Sequence, residues 1–213
     1  MGTGKKNHKK NAAIALFANG KFLFELGNSN LPMYRYKIVV EKDRTTGFLN
    51  AHKMPLKCHE DILIFYQKLP TFNPQYFYGK PYKRLVSSCD SENYRKGIKG
   101  YVYESDGRRH PRDVIKFNFP KKGFIKNSEK VEHPTQKPVA LLEYLIKTYS
   151  VESETVLDTC VGAGTTAIAA INTGRKFIGF ELNEKFFNIA CERVKQAQDK
   201  LTLDFNGVIK VAE

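Results

Sequence analysis

No part of this 213-residue sequence stays apolar for long enough to cross a bilayer, and its opening residues, MGTGKKNHKK, lack the apolar stretch of a secretory signal. Lys6 stands where a myristoylation signal wants Ser or Thr. The sequence therefore predicts no membrane span, export leader or lipid anchor, and it reads as cytoplasmic. Cysteine is scarce and scattered: no pair among Cys58, Cys89, Cys160 and Cys191 has the short spacing of a metal knuckle. His52, Cys58 and His59 are close in sequence. Even so, the expected state is four reduced thiols, mostly packed as small hydrophobes, with no metal. There are no internal repeats. Hydrophobic residues still make up 41% of the chain, enough for one sizeable core with or without a small appendage.

Acidic residues are short in one part of the chain only. The formal net charge is +13; residues 1–130 hold 26 Lys and Arg against 11 Asp and Glu, and residues 131–213 hold 9 against 11. A basic segment joined to a near-neutral one predicts a polyanion-facing part and a separate small-molecule part. The basic part is also rich in Tyr and Phe, which either stack on bases or fill a core.

Residues 11–18 (NAAIALFA) predict a short buried strand, and Lys21 to Leu26 a helix. Residues 34–41 (YRYKIVVE) alternate as a strand does, and residues 62–67 (ILIFYQ) are apolar enough to be buried on both faces. From Leu69 to Lys130 the pattern breaks down under Pro70, Pro74, Pro81, Pro111 and Pro120, which predicts an irregular basic insertion. Order returns at Pro138, placed to be a first helical residue. Leu141, Leu142, Leu145, Ile146 and Tyr149 then form an apolar face at helical spacing. A strand (Thr155 to Asp158), a glycine turn (Val161 to Gly164), a helix ended by Gly174 and a strand (Lys176 to Glu181) follow. Asn183 is placed to cap a last helix with Phe186, Ala190, Val194 and Ala197 on its inner face. Three regions result: 1–68 and 131–213 as parts of one core, and 69–130 as the insertion. The fold class is α/β, a twisted, mainly parallel Rossmann-like sheet shared by both halves of the chain.

Gly162-Ala163-Gly164 follows a strand and opens a helix, and Glu181 closes the next strand. Glycines there let backbone approach a ligand, and the acid can accept hydrogen bonds from ribose hydroxyls. A nicotinamide dinucleotide is the first candidate, since Ala167 fits the relaxed third-glycine position. Too little chain follows Gly162 to complete a nucleotide-binding sheet, however, so the missing strands must come from earlier, in permuted order. Asp158, just before the turn, would repel a pyrophosphate and attract a cation. Both points favour S-adenosylmethionine, whose sulfonium and amino groups are positive.

The run His133-Pro134-Thr135-Gln136-Lys137-Pro138, the Leu-rich helix and then Val156-Leu157-Asp158-Thr159-Cys160-Val161-Gly162-Ala163-Gly164-Thr165-Thr166 resemble the cofactor region of the N4-cytosine/N6-adenine DNA amino-methyltransferases. The order resembles the β class, in which the catalytic region precedes the cofactor region. Gly174-Arg175, Gly179-Phe180-Glu181-Leu182 and Arg193 match as well. The family has Asp-Pro-Phe where this chain has Asp158-Thr159-Cys160, and Gly-Ser-Gly where it has Gly162-Ala163-Gly164. Tyr34 to Gln75 is more loosely similar to phage-type members, and 69–130 lies where a target-recognition region would.

The resemblance implies a methyl transfer from S-adenosylmethionine to an exocyclic amino group of a base in double-stranded DNA. It implies that His133, Pro134, Thr135, Lys137, Asp158, Gly162, Gly164, Thr165 and Glu181 bind the cofactor. Asp158 and the glycines would line its methionine end, Thr135 and Lys137 would hold its carboxylate, and Glu181 would bind its ribose. The chemistry also needs a flipped base stacked on an aromatic ring and two acceptors for its amino hydrogens. The family supplies these in an Asp/Asn/Ser-Pro-Pro-Tyr tetrapeptide ahead of the region that Ala12 opens here. This sequence has no such motif; Asn73-Pro74-Gln75-Tyr76 comes nearest. The expectation is a truncated or split methyltransferase, active only with a missing segment or with a separate polypeptide that supplies it. The alternatives are a self-sufficient enzyme using Asn73, Pro74 and Tyr76, and a non-catalytic DNA-binding remnant with a vestigial pocket.

Overall fold

The computed structural model describes residues 11–87, 100–119 and 135–209, with side chains to residue 200. The chain divides into two compact units, one made of residues up to Asn73 and from Asp113 onward, the other of Pro74–Arg112.

The larger unit begins with β1 (Ile14–Ala18), α1 (Lys21–Ser29), β2 (Tyr34–Thr46) and β3 (Lys57–Phe65). Gly20, at φ 58°, makes the turn between β1 and α1. β3 lies between β1 and β2 and is antiparallel to both, pairing Phe17 with Ile62 and Ile38 with Ile62 in register. Ile62 to Phe65 are all buried, so this stretch reads as a continuous apolar run rather than an alternating one, and the buried Asp61 before it is paired with Lys37 at 3.0 Å. β8 (Val114–Phe117) joins the far side of β2 in parallel and gives the order β1-β3-β2-β8.

Three more helices and two more strands complete this unit: α2 (Val139–Tyr149), β9 (Thr155–Asp158), α3 (Thr165–Asn172), β10 (Lys176–Gly179) and α4 (Glu184–Ile209). β9 and β10 pair in parallel around α3, a βαβ unit of the expected kind. α2 joins the two sheets. Its Leu141, Leu142, Leu145 and Ile146 lie in one core cluster with Ile38, Val40, Ile62 and Ile64 of the four-stranded sheet, and with Ala169 and Ala170 of α3. Val156 and Phe177 pack against the same cluster. Burying an aliphatic side chain of this kind contributes about 1.5–3 kcal/mol.

The smaller unit holds two antiparallel pairs, β4 (Phe77–Tyr78) with β7 (Arg108–Arg109) and β5 (Tyr82–Val86) with β6 (Tyr101–Ser105).

Four expectations need correction. The sheet is not one mainly parallel layer: among the described residues, β9 and β10 pair only with each other, and two of the three pairings in the larger sheet are antiparallel. The projecting insertion is narrower than 69–130, because Val114–Phe117 pairs with β2 and Phe119 is buried in the core. Short VIKF, lost among prolines, gave no periodic signal. Pro138 is the N-cap rather than the first helical residue, with ψ 137°. Cys58, Cys160 and Cys191 are exposed, not packed as small hydrophobes, with Cys191 lining an open cavity beside α4, and Cys89 lies outside the described residues. No three His, Cys, Asp or Glu among the described residues are grouped to hold a metal, and no described helix is long and apolar enough to cross a membrane.

Candidate functional site

The glycine turn joins the end of β9 to the start of α3. Gly162 and Gly164 both have positive φ, 56° and 80°, which disfavours any side chain there. Gly164 has a second reason: a Cβ would stand 3.0 Å from both Cα and Cβ of Ala190. The turn can therefore lie this close to α4 only as glycine. Arg193 of α4 reaches back and donates from Nη1 to the Ala163 carbonyl at 2.5 Å, so α4 braces the turn from outside.

Two carboxylates flank the turn at the carboxyl ends of the parallel strands, where α/β sheets bind ligands. Asp158 Oδ1 accepts from Cys160 N at 2.9 Å and Oδ2 from Thr166 Oγ1 at 2.5 Å. Glu181 Oε2 accepts from Gly162 N at 2.8 Å, and its Oε1 from Asn183 N at 2.9 Å. Both acids are thus fixed by backbone N–H groups. A carboxylate has about four lone-pair sites, and Asp158 uses two of them in these bonds, which leaves it capacity to face a cation. Phe180 and Leu182 on either side of Glu181 are exposed, offering apolar surface beside the acid. The nearby cavity between β10 and α4, lined by Val161, Gly179, Glu181, Phe187, Ala190 and Cys191, is about 120 Å³. That is well below the roughly 300 Å³ of the smaller ligand pockets, so a nucleoside would lie along the open surface instead.

Thr135 and Lys137 lie in the segment entering α2. Thr135 is exposed, and Lys137 is half-buried, its Nζ donating to Glu60 Oε2 at 2.5 Å and lying 4.9 Å from the Phe17 ring centre. Thr165 is buried at the start of α3. His133 and Pro134 lie outside the described residues. The side chain that donates to Asp158 is that of Thr166, which sequence reasoning passed over. Its place in the first turn of the helix after the glycines was the available signal.

In the alternative catalytic run, Asn73 is engaged by the end of a helix. Asn73 Nδ2 donates to the carbonyls of Lys147 at 3.1 Å and Ser150 at 3.0 Å, and Asn73 N donates to Thr148 O at 2.8 Å. These carbonyls lie past the last intrahelical bonds of α2, so Asn73 serves as a helix cap, with Arg175 Nη2 also donating to the Ser150 carbonyl at 2.8 Å. Thr135 and Lys137 lie at the opposite end of this 11-residue helix, which spans about 16 Å. Pro74 and Tyr76 belong to the smaller unit, where the Tyr76 ring meets His110 at 5.0 Å and Arg108 at 4.8 Å.

The smaller unit presents further arginines on aromatic rings, Arg109 over Tyr82 at 4.5 Å and Arg112 over Phe77 at 5.6 Å. Arg109 is held by Ser105 Oγ and the Lys80 carbonyl, each at 3.0 Å. Such stacks keep guanidinium groups flat and extended, a geometry suited to phosphates and bases.

Comparison with known proteins agrees with this arrangement. The family described as DNA methylase matches residues 5–192. The chain is 35% identical over 209 residues to the orphan methyltransferase M.BamHII of Bacillus amyloliquefaciens, a match covering 90% of this chain and 72% of that protein. It is 32% identical over 133 residues to the type II methyltransferase M.HindIII of Haemophilus influenzae, covering 59% of this chain and 40% of that one. The chain thus spans well under half of M.HindIII. In fold it is similar to the crystal structure of the M1.HpyAVI–SAM complex, with a TM-score of 0.57, 23% identity, and coverage of 87% of this chain and 76% of that one.

Proposed function

This chain belongs to the DNA methylase family, and from that premise we propose that it is the cofactor- and DNA-binding part of an S-adenosylmethionine-dependent methyltransferase acting on an adenine-N6 or cytosine-N4 amino group. The carrying observation is the pair of fixed carboxylates around a turn that only glycine can make. When bound, S-adenosylmethionine supplies an activated methyl group on a sulfonium. Asp158 provides negative charge for the cationic methionine end, and Glu181 accepts from the ribose hydroxyls. Phe180 and Leu182 give the adenine ring apolar surface. Gly162 and Gly164 keep the turn low enough for close approach. The arginine–aromatic surface of 74–112 takes the DNA.

The acceptors that would localise the lone pair of the attacking nitrogen are not recognisable in these 213 residues. Asn73, the nearest candidate, has its amide directed at the end of α2. In this reading a segment outside this sequence, on the same or a separate polypeptide, supplies them. Losing one preorganised hydrogen-bonding group costs about 100- to 1000-fold in rate, so the chain alone should transfer methyl groups near background.

Calorimetry with S-adenosylmethionine and a tritiated-methyl assay on unmethylated duplex DNA test the two halves of this reading. Binding is expected, and Glu181→Ala should weaken it about 10- to 150-fold, the equivalent of two charge-assisted hydrogen bonds. A chain that binds DNA but no cofactor would instead be a non-catalytic remnant. Multiple turnovers abolished by Asn73→Ala would make the Asn73 run catalytic and overturn the split-enzyme reading.

A further inference from the structure

The hairpin formed by β2 and β3 is anchored at its base and uncovered at its tip. At the base, Glu60 of β3 takes the Lys137 ammonium at 2.5 Å, and the ammonium of Lys42 on β2 lies 3.6 Å from its other oxygen. Lys137 enters α2, whereas Asn73, beyond β3, caps the opposite end of that helix. β10 starts at the capped end, next to Arg175 on the Ser150 carbonyl, and runs away from it. The hairpin tip and the carboxyl end of β10 are therefore directed to the same end of the larger unit. Residues 47–54 form the tip, a run of turns closed by its own backbone bonds. Asn50 N donates to Gly47 O at 2.9 Å, Ala51 N to Phe48 O at 3.1 Å and Met54 N to Asn50 O at 3.0 Å. Its large side chains are uncovered: Leu49 is 99% exposed, Phe48 67% and Met54 58%. Clustered on one turn, they mark an interaction surface rather than scattered apolar residues. No acid occurs between Asp43 and Glu60, while Arg44 and Lys53 are exposed cations. Duplex DNA matches both properties, with phosphates outside and stacked bases within. A second copy of this chain would bring like charge, since the chain carries +13.

We propose that the tip is a wedge for the DNA base stack: Leu49, flanked by Phe48 and Met54, enters the gap left when a base is drawn out, while Arg44 and Lys53 meet the adjoining phosphates. It rests on the reading above that this chain acts on a base in duplex DNA. It adds a DNA-contacting element in the larger unit, where that reading names only 74–112. Chemistry on a base requires the base to leave the stack, and the vacated step costs stacking energy until something apolar fills it. Phe, Leu and Met side chains are the kind that fill such steps.

The test measures the affinity of the full chain for two duplexes of one sequence, one intact and one with a single abasic site. The abasic duplex offers the gap already open, so the wild type should prefer it about 5- to 100-fold, the worth of one base-sized stacking contact. Leu49→Ser should bring that ratio close to one, and Leu49→Met should restore most of it. Lys53→Gln should weaken both duplexes alike and lower the salt slope by about one phosphate contact. Phe48→Ser carries the same comparison should the Leu49 variant unfold. A wild-type ratio of one, or a ratio that survives both serine variants, overturns the wedge and leaves the DNA reading standing. So does a wild-type dimer in sedimentation that Leu49→Ser converts to monomer without moving the ratio, which would assign the tip to a second copy. A wild-type chain that binds neither duplex overturns the DNA reading and the wedge together.

Discussion

The two compact units are held together by different forces. The larger one encloses a cluster in which Val40, Ile62, Ile64 and Leu141 are fully buried. In Pro74–Arg112, no described hydrophobic side chain is buried, and Ser105 is the buried polar residue. That unit relies on two short ladders, an exposed Lys83–Glu104 ion pair and arginines lying on rings. A core of packed aliphatics resists substitution through cavity cost, whereas exposed ladders and cation–π stacks contribute small, salt-sensitive amounts. The comparison teaches how differently the two units are held: a stiff core carries the glycine turn, and a lightly held unit carries arginines on aromatic rings.

Four measurements would break or sharpen that contrast. Leu141→Ala should destabilise the larger unit by about 2–5 kcal/mol in chemical denaturation, since it opens a cavity where α2 meets the four-stranded sheet. A cost under about 1 kcal/mol would mean that the core is no better packed than the smaller unit. Asn73→Ala should cost about 1–2 kcal/mol, the worth of a lost helix-end cap, with S-adenosylmethionine binding unchanged.

Tyr149→Phe tests a half-buried polar pair at the edge of the core. Its hydroxyl meets that of Tyr36 at 2.7 Å, and burial first, then this hydrogen bond, raises the Tyr149 phenol above the ordinary value of 10.0. The neutral phenol is thus favoured in the folded chain. Its contribution is complete below pH 10 and declines as pH rises from there toward the folded-state value. Stability should fall on that alkaline limb in the wild type and fall less steeply in the variant, as read from denaturant midpoints across pH.

The smallest effect on stability belongs to Arg109→Ala, about 0.5–1 kcal/mol for an exposed stack, with the main unfolding transition unmoved. Duplex-DNA affinity measured against salt should nevertheless weaken, with the slope of log affinity reduced by about one phosphate contact. An unchanged slope would remove Arg109 from the DNA surface.

Legibility in the sequence follows the same division. The strand at Thr155–Asp158, the inner face of α2 and the Asn183 cap, with Phe186 N donating to Asn183 Oδ1 at 3.3 Å, lie where apolar spacing and cap chemistry predict them. Those features are local. The glycine turn was readable because positive φ restricts the residue type, and Glu181 because a strand end fixes its distance from the turn. What escaped depends on contacts far apart in the chain. β8 has four residues and no recognisable period, and it becomes a strand only beside β2. The two ladders of Pro74–Arg112 bury no apolar face, so they leave no alternation to read. The Asn73 run looked like acceptor chemistry, but capping α2 uses the same amide, and only the location of Lys147 and Ser150 distinguishes the two. Lys42 and Glu60 face each other across paired strands, with Val40 opposite Glu60 in the register, which no short motif encodes.

The parallel pairing of β8 with β2 has a consequence for how this chain can change over evolutionary time. Val39 aligns with Val114, so the ladder closes a loop that contains the whole of Pro74–Arg112. The entropy lost on closing a flexible loop grows only with the logarithm of its length, about 0.6 kcal/mol for each doubling. Lengthening, shortening or replacing the segment inside the loop therefore changes the closure cost little, provided that both stems still reach the ladder. The core tolerates turnover of this segment as a nearly silent event, and new side chains can be sampled there while the packing around Leu141 is left untouched.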